Sequence, residues 1–177
     1  SDGGRQMPKA IRQIRIEGNV AYVPLTRGYE AIIDAADVPI VAGFNWVASV
    51  KSHTTYAIRT DRIDGKRCSV LLHRFILGIM DRRDLEVDHK NCNGMDNRRD
   101  NLRLATRSQN NQNRRIGIRN TSGFKGVSWD NGRRKWIATI EVHGRSKRIG
   151  RFSTPEAAAT AYAIASARIH GEFGRLH

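Results

Sequence analysis

Cysteine is almost absent: Cys68 and Cys92 are the only two in 177 residues. Two distant thiols cannot build a disulfide framework, and no CxxC spacing is present for zinc. Both read as free thiols in a reducing compartment. Long apolar runs are missing as well. None approaches the roughly 20 residues that cross a bilayer. No secretory leader is expected, Ser1–Gln6 ahead of Met7 read as added residues, and the expected location is cytoplasmic. Negative charge is scarce. Seventeen Asp+Glu stand against 31 Lys+Arg, a net charge of +14 with pI ≈ 10.8. Such an excess favours a nucleic acid or an anionic membrane surface, and the missing apolar runs weaken the membrane reading. RNA-type signatures are also lacking, with no aromatic-rich RNP-like strand and no KH loop. A nucleic acid is the partner these absences favour.

Charge and pattern divide the chain. Residues 114–177 carry 13 Lys+Arg and four Asp+Glu, so this third is the more basic per residue. Residues 114–121 are polar, basic and free of hydrophobic period, which reads as a linker able to lie along a phosphate backbone. The expected division is 7–113, with a β-rich part at 14–71 and a motif-bearing part at 72–113, then the linker, then 122–177. Val20–Leu25, Glu30–Asp34, Trp46–Val50, Thr55–Arg59 and Arg67–Leu72 read as strands, with a turn at Asp64-Gly65. A short helix is expected near His73, and Pro39 limits any helix over 34–40. Leu85–His89 and Leu102–Ala105 read as strands around a polar turn region. Thr106 and Gln109 form a capping-box pattern that starts a helix. Phe124–Trp129, Lys135–Val142 and Arg145–Phe152 read as three strands with turns at Asn131-Gly132 and His143-Gly144. Trp136, Ala138, Ile140 and Val142 alternate onto one face. Thr154, Pro155 and Gly171 bound a final helix with the stripe Ala158, Ala161, Tyr162, Ala165 and Ile169.

The chemistry concentrates in Val87-Asp88-His89, followed by Asp96-Asn97, Asp100-Asn101-Leu102-Arg103 and Gln109-Asn110. Asp88 and Asn110 offer hard oxygen ligands, which suit Mg²⁺ or Mn²⁺ rather than zinc. His89 offers a base that can be neutral near pH 7. A cation and an imidazole at one site suit water-driven cleavage of a phosphodiester. Arg98, Arg99, Arg103 and Arg107 are candidates for phosphate contact, as are Arg114, Arg115, Lys125 and Arg148. His73 has two open readings, an approach to phosphate or a buried histidine at a helix start. Trp46, Trp129 and Trp136 read as core aromatics.

Leu72-His73-Arg74, Val87-Asp88-His89, Asp96-Asn97-Arg98, Asn101-Leu102-Arg103 and Gln109-Asn110 resemble the HNH endonucleases of bacteriophages, particularly the homing type. Ser122-Gly123-Phe124-Lys125-Gly126-Val127, Lys135-Trp136, Ile149-Gly150-Arg151-Phe152 and Thr154-Pro155-Glu156-Ala157-Ala158 resemble an AP2 DNA-binding domain. The first resemblance implies an α+β chain with a ββα-metal core, and the second a three-stranded antiparallel sheet packed on one helix. It further implies Asp88 and Asn110 as ligands of one Mg²⁺ or Mn²⁺ ion and His89 as general base. Asn101 would hold the loop that keeps His89 oriented. The implied activity is hydrolysis of duplex DNA, with nicking by a monomer as the favoured mode and no small-molecule cofactor. The AP2 part departs from plant members: Ser128, Thr139 and Glu141 replace their base-reading side chains, so a plant target sequence does not transfer. A non-catalytic DNA-binding regulator is the competing expectation.

Overall fold

The computed structural model describes residues 10–52, 54–113, 116–117 and 120–176. It divides into two compact units. One comprises the chain to Arg83 together with Asn93–Arg103, and the other Asp84–Cys92 together with the chain from Leu104 onward.

In the first unit, β1 (Arg15–Glu17), β2 (Val20–Pro24) and β3 (Glu30–Asp34) form an antiparallel sheet in that order. Residues on one face of a strand recur every second position. Ala21 and Val23 of β2 therefore meet Ile33 and Ala31 of β3 on one buried face. A 3-10 turn at Ala35–Asp37 leads into α1 (Val38–Val41), a single turn with Pro39 at its start, where the missing N–H costs nothing. A second antiparallel sheet follows, with β4 (Val47–Val50), β5 (Thr55–Ile63) and β6 (Lys66–Leu71) in that order. Asp64 and Gly65 both take left-handed backbone at the β5–β6 turn, the pair of dihedrals a two-residue hairpin requires. Next, α2 (Leu72–Ile76) brings Leu72 and Ile76 into the core beside Val41 and the fully buried Trp46. The Trp46 indole N–H donates to Val41 O at 3.2 Å, which satisfies its one polar atom.

Arg59 is buried in this core against three rings. Its guanidinium carbon lies 3.5 Å from the Phe44 centroid, 4.4 Å from Phe75 and 5.1 Å from Trp46, and its free edge pairs with Asp61. The polar segment 93–101 is also bonded into this unit. Ile32 N–H donates to Met95 O at 2.8 Å and Asn97 N–H to Ile32 O at 2.7 Å. Gly94 fits where a Cβ would lie 2.5 Å from Thr55 O and 2.7 Å from the Tyr56 ring, so no other residue can take its place without displacement.

In the second unit, β7 (Glu86–His89) pairs with β8 (Leu102–Ala105), whose last two residues lie in this unit. Next along the chain comes α3 (Arg107–Asn113). A three-stranded antiparallel sheet in the order β11-β10-β9 then forms from β9 (Val127–Asp130), β10 (Lys135–Val142) and β11 (Arg145–Phe152). α4 (Pro155–His170) packs on it. Val127, Ala138, Ile140, Ala158 and Tyr162 are its buried core, with Trp136 and Val142 packed alongside. The Thr154 hydroxyl accepts from Ala157 N–H at 3.2 Å and Pro155 opens the helix.

The β9–β10 turn falls at residues 131–134, over the expected Asn131-Gly132, and the Asp130 carboxylate accepts from Arg133 N–H within it. Three local expectations are corrected. Trp129, read as a core aromatic, is exposed, because it stacks edge-on against Trp136 rather than entering the core. Phe124 precedes β9, because Gly123 and Gly126 both take positive φ and turn the chain there. Ile169 is exposed, while Ser166 and then Phe173, in a 3-10 turn after Gly171, supply burial at that end of α4.

Candidate active site

The local fold of β7 and α3 follows from their sequence. Val87 turns one face of β7 inward, which leaves Glu86 and Asp88 together on the other. The capping box forms as its pattern requires: Thr106 N–H donates to Gln109 Oε1 at 2.8 Å, and Gln109 N–H donates to Thr106 Oγ1 at 3.3 Å. On a helix started there, Asn110 and Asn113 stand three residues apart and share a face.

Two side-chain rungs join these elements. Asn110 Nδ2 donates to Glu86 Oε2 at 2.6 Å. Asn113 Nδ2 donates to Asp88 Oδ1 at 2.9 Å and to His89 O at 2.9 Å. Asp88, His89 and Asn113 are only 4 %, 6 % and 4 % exposed. At such burial a carboxylate must be hydrogen-bonded or metal-bound, and Asn113 supplies one bond. His89 O accepts a second time, from Cys92 N–H at 2.8 Å, as the chain turns through left-handed backbone at Cys92.

The far end of α3 is also held. Cys92 Sγ donates to Asn113 O at 3.0 Å, and Arg175 Nη1 donates to Cys92 Sγ at 3.0 Å. Lys125 Nζ donates to Gln112 O. These contacts satisfy carbonyls that a helix end leaves without partners. Burial lowers the Lys125 pKa; Cys92 works against that and Arg175 with it.

The other expected residues stand as follows. Asn101 belongs to the first unit and donates from Nδ2 to Asp96 O at 2.7 Å, which closes the 96–101 turn. His73, also in the first unit, is buried with its ring 5.6 Å from that of Tyr56. Arg98 pairs with Asp96 at 2.7 Å, and this hydrogen-bonded contact raises its pKa. Arg99 pairs with Asp37 at 2.7 Å and donates to Ile76 O; both arginines keep about half their side chains exposed. Arg107 is exposed at the start of α3 and Arg148 is exposed on β11 opposite Thr139. Arg103 is half-buried on β8. Arg114 and Arg115, with half of the expected linker, lie outside the described residues.

Glu86 and Asn113 were not singled out from sequence. The signal was present: a carboxylate two residues before Asp88 on a strand, and an amide three residues after Asn110 on a helix.

Among the described residues no three His, Cys, Asp or Glu side chains converge as a metal cluster. Two carboxylates and two carboxamides are paired here, Asp88 with Asn113 and Glu86 with Asn110, and the oxygens of such groups are of the kind a hard divalent cation accepts. Asn110 turns its N–H toward Glu86, so its oxygen is the pole left for a cation.

A strand, a polar turn region, a strand and a capped helix carry Asp88-His89, and comparison with known proteins gives the family. Residues 78–112 match the model of the HNH endonuclease family. The chain is 30% identical over 151 residues to a protein of Acanthamoeba polyphaga mimivirus named "Uncharacterized HNH endonuclease L560", covering 83% of this chain and 74% of that one. It is 34% identical over 90 residues to "Protein 3.8" of Escherichia phage T7, covering 51% of this chain and 74% of the relative. No solved structure matches. This chain belongs to the HNH endonuclease family and is an enzyme of that class.

Proposed function

We propose that this protein is a divalent-metal-dependent endonuclease of the homing type that hydrolyses phosphodiester bonds in double-stranded DNA, nicking one strand as a monomer. The observation that carries this reading is the pairing of β7 with α3 in a chain of the HNH family, Asp88-His89 with the amide of Asn113 and Glu86 with the amide of Asn110. Asp88 and Asn110 would hold one Mg²⁺ or Mn²⁺ ion. When bound, the ion supplies charge stabilisation at the scissile phosphate. His89 acts as general base and takes a proton from the attacking water, which leaves 5′-phosphate and 3′-hydroxyl ends. Asn101 holds the turn that follows the site.

Residues 7–113 form the nuclease part, 114–121 a basic linker and 122–177 an AP2-like DNA-binding part. Support for the last comes from the three-stranded sheet packed on α4 and the +9 charge beyond residue 113. Arg103, Arg107, Arg114, Arg115 and Arg148 supply phosphate contacts. Arg98, Arg99 and Lys125 combine such contact with the internal bonds described above.

Supercoiled plasmid incubated with the protein and Mg²⁺ tests this directly. Relaxed circles are expected, and their formation should cease with chelator. His89→Ala should slow cleavage by about 10²–10⁴ with duplex affinity little changed. Shifted but uncut plasmid with the parent protein would instead indicate a non-catalytic DNA-binding regulator, and undiminished cutting by His89→Ala would remove the base assignment.

A further inference from the structure

We propose that Asn113 and Glu86 are positioning residues of the cation site: Asn113 fixes the carboxylate of Asp88, and Glu86 fixes the carboxamide of Asn110. This rests on the assignment of Asp88 and Asn110 as the ligands.

The two rungs join the same pair of elements. Two residues along a strand advance about 6.6 Å, and three along a helix about 4.5 Å. The difference of about 2 Å is small enough for the longer Glu86 and the shorter Asp88 side chains to take up. Each rung joins one carboxylate of β7 to one amide of α3, and each contains one proposed ligand and one residue with no other assigned role.

Chemistry separates the rungs from simple fastening. A carboxamide has two poles of nearly equal shape, and only its oxygen can bind a cation. Glu86 Oε2, 2.6 Å from Asn110 Nδ2, accepts only from nitrogen. A flipped Asn110 would set oxygen against oxygen at that separation, so Glu86 selects the rotamer that points Oδ1 away from itself. Asn113 uses both amide hydrogens, one on Asp88 Oδ1 and one on His89 O. A single side chain thereby ties the orientation of the ligand carboxylate to the backbone of the residue carrying the base. Its burial keeps water from replacing either bond. Groups that orient metal ligands in this way typically contribute about 10- to 100-fold in metal affinity or activity.

The test uses the full chain and Mn²⁺ binding measured calorimetrically without DNA, alongside Mg²⁺-dependent nicking. Asn113→Ala and Glu86→Ala should each weaken Mn²⁺ binding about 10- to 100-fold, while duplex DNA affinity stays within about twofold of the parent. Glu86→Gln should recover only part of the loss, because a Gln oxygen can accept the same bond from Asn110 while its NH₂ can equally pair with a flipped one. Should Asn113→Ala fail to fold, the Glu86→Ala and Glu86→Gln pair at the partly exposed rung carries the test. A lowered Tm with unchanged Mn²⁺ affinity in the folded variants would overturn the proposal, since fastening alone predicts that result. Asp88→Ala separates the two levels. If it binds Mn²⁺ as tightly as the parent, the ligand assignment itself fails. If it loses the ion while Asn113→Ala and Glu86→Ala keep it, the positioning role alone is refuted.

Discussion

The capping box at Thr106 and Gln109 offers a direct measure of how firmly the candidate site is built. α3 has seven residues, well below the roughly 12 at which an isolated helix becomes even marginal in water. Its integrity therefore depends on what grips its ends and its face. Thr106→Ala removes the acceptor of the Gln109 N–H, a loss of about 1 kcal/mol for an N-cap side chain. Gln109→Ala removes the reciprocal bond from Thr106 N–H, worth about 1 kcal/mol as a net hydrogen bond. Together the substitutions should cost on the order of 2 kcal/mol, about 30-fold in the equilibrium between closed and frayed first turns. Amide hydrogen exchange at Gln109 and Asn110 reads this locally, because Asn110 N–H donates to Thr106 O at 2.9 Å in the same turn. Thr106→Ser, which keeps the hydroxyl, should retain most of the protection. Unchanged exchange in the double variant, or equal loss in Thr106→Ser and Thr106→Ala, would refute the reasoning. It would place the helix start under the control of packing alone.

Two further expectations concern the C-terminal sheet and helix. Gly126 has φ +70°, and a Cβ there would meet the Tyr162 ring at 2.3 Å and Thr139 O at 2.6 Å. Gly126→Ala should cost about 1–3 kcal/mol from overpacking in addition to backbone strain; Gly123→Ala, at φ +75° in open space, should cost only the strain of about 1–2 kcal/mol. Chemical denaturation of the two variants compares them, and equal losses would contradict the packing argument. Burial, reinforced by Lys125 and opposed by Glu141, holds the His170 imidazole below its ordinary value of 6.5, and its Nε2 is buried without a partner among the described residues. The unfolded chain therefore takes up this proton first. The stability contributed by neutral His170 is complete above about pH 6.5 and is lost as pH falls through the lower folded value. His170→Gln should flatten the fall in Tm between pH 7 and pH 5, and parallel curves for the two proteins would exclude this contribution.

Much of the local structure was legible because single residues or short periods determine it. Alternating Ala21 and Val23 against Ala31 and Ile33 announce a buried sheet face. Asp64-Gly65 and His143-Gly144 adopt the left-handed pairs their types favour. Thr106 and Gln109 carry a complete capping instruction within four residues. What stayed hidden depends on partners remote in sequence. Trp129 reads as core from its residue type, yet it is exposed because its neighbour across the sheet is Trp136. The bond between Asn97 N–H and Ile32 O links residues 65 apart, and nothing near Asn97 specifies it. Glu86 and Asn113 look like ordinary polar residues until β7 and α3 are side by side; 27 positions separate them, and each finds its partner on the other element. Asp88, His89 and Asn110 stood out earlier because their donor chemistry is distinctive even without a partner.

The grip on the last carbonyls of α3 has a consequence for synthesis. Cys92 and Arg175 are 83 residues apart, and a polypeptide leaves the ribosome from its amino end. The strand bearing Asp88 and His89 emerges first, and Arg175 can reach the Cys92 thiol only after 83 further residues have been added. Lys125 can engage Gln112 somewhat sooner. A growing chain thus carries Asp88 and His89 long before the helix beside them is closed at both ends.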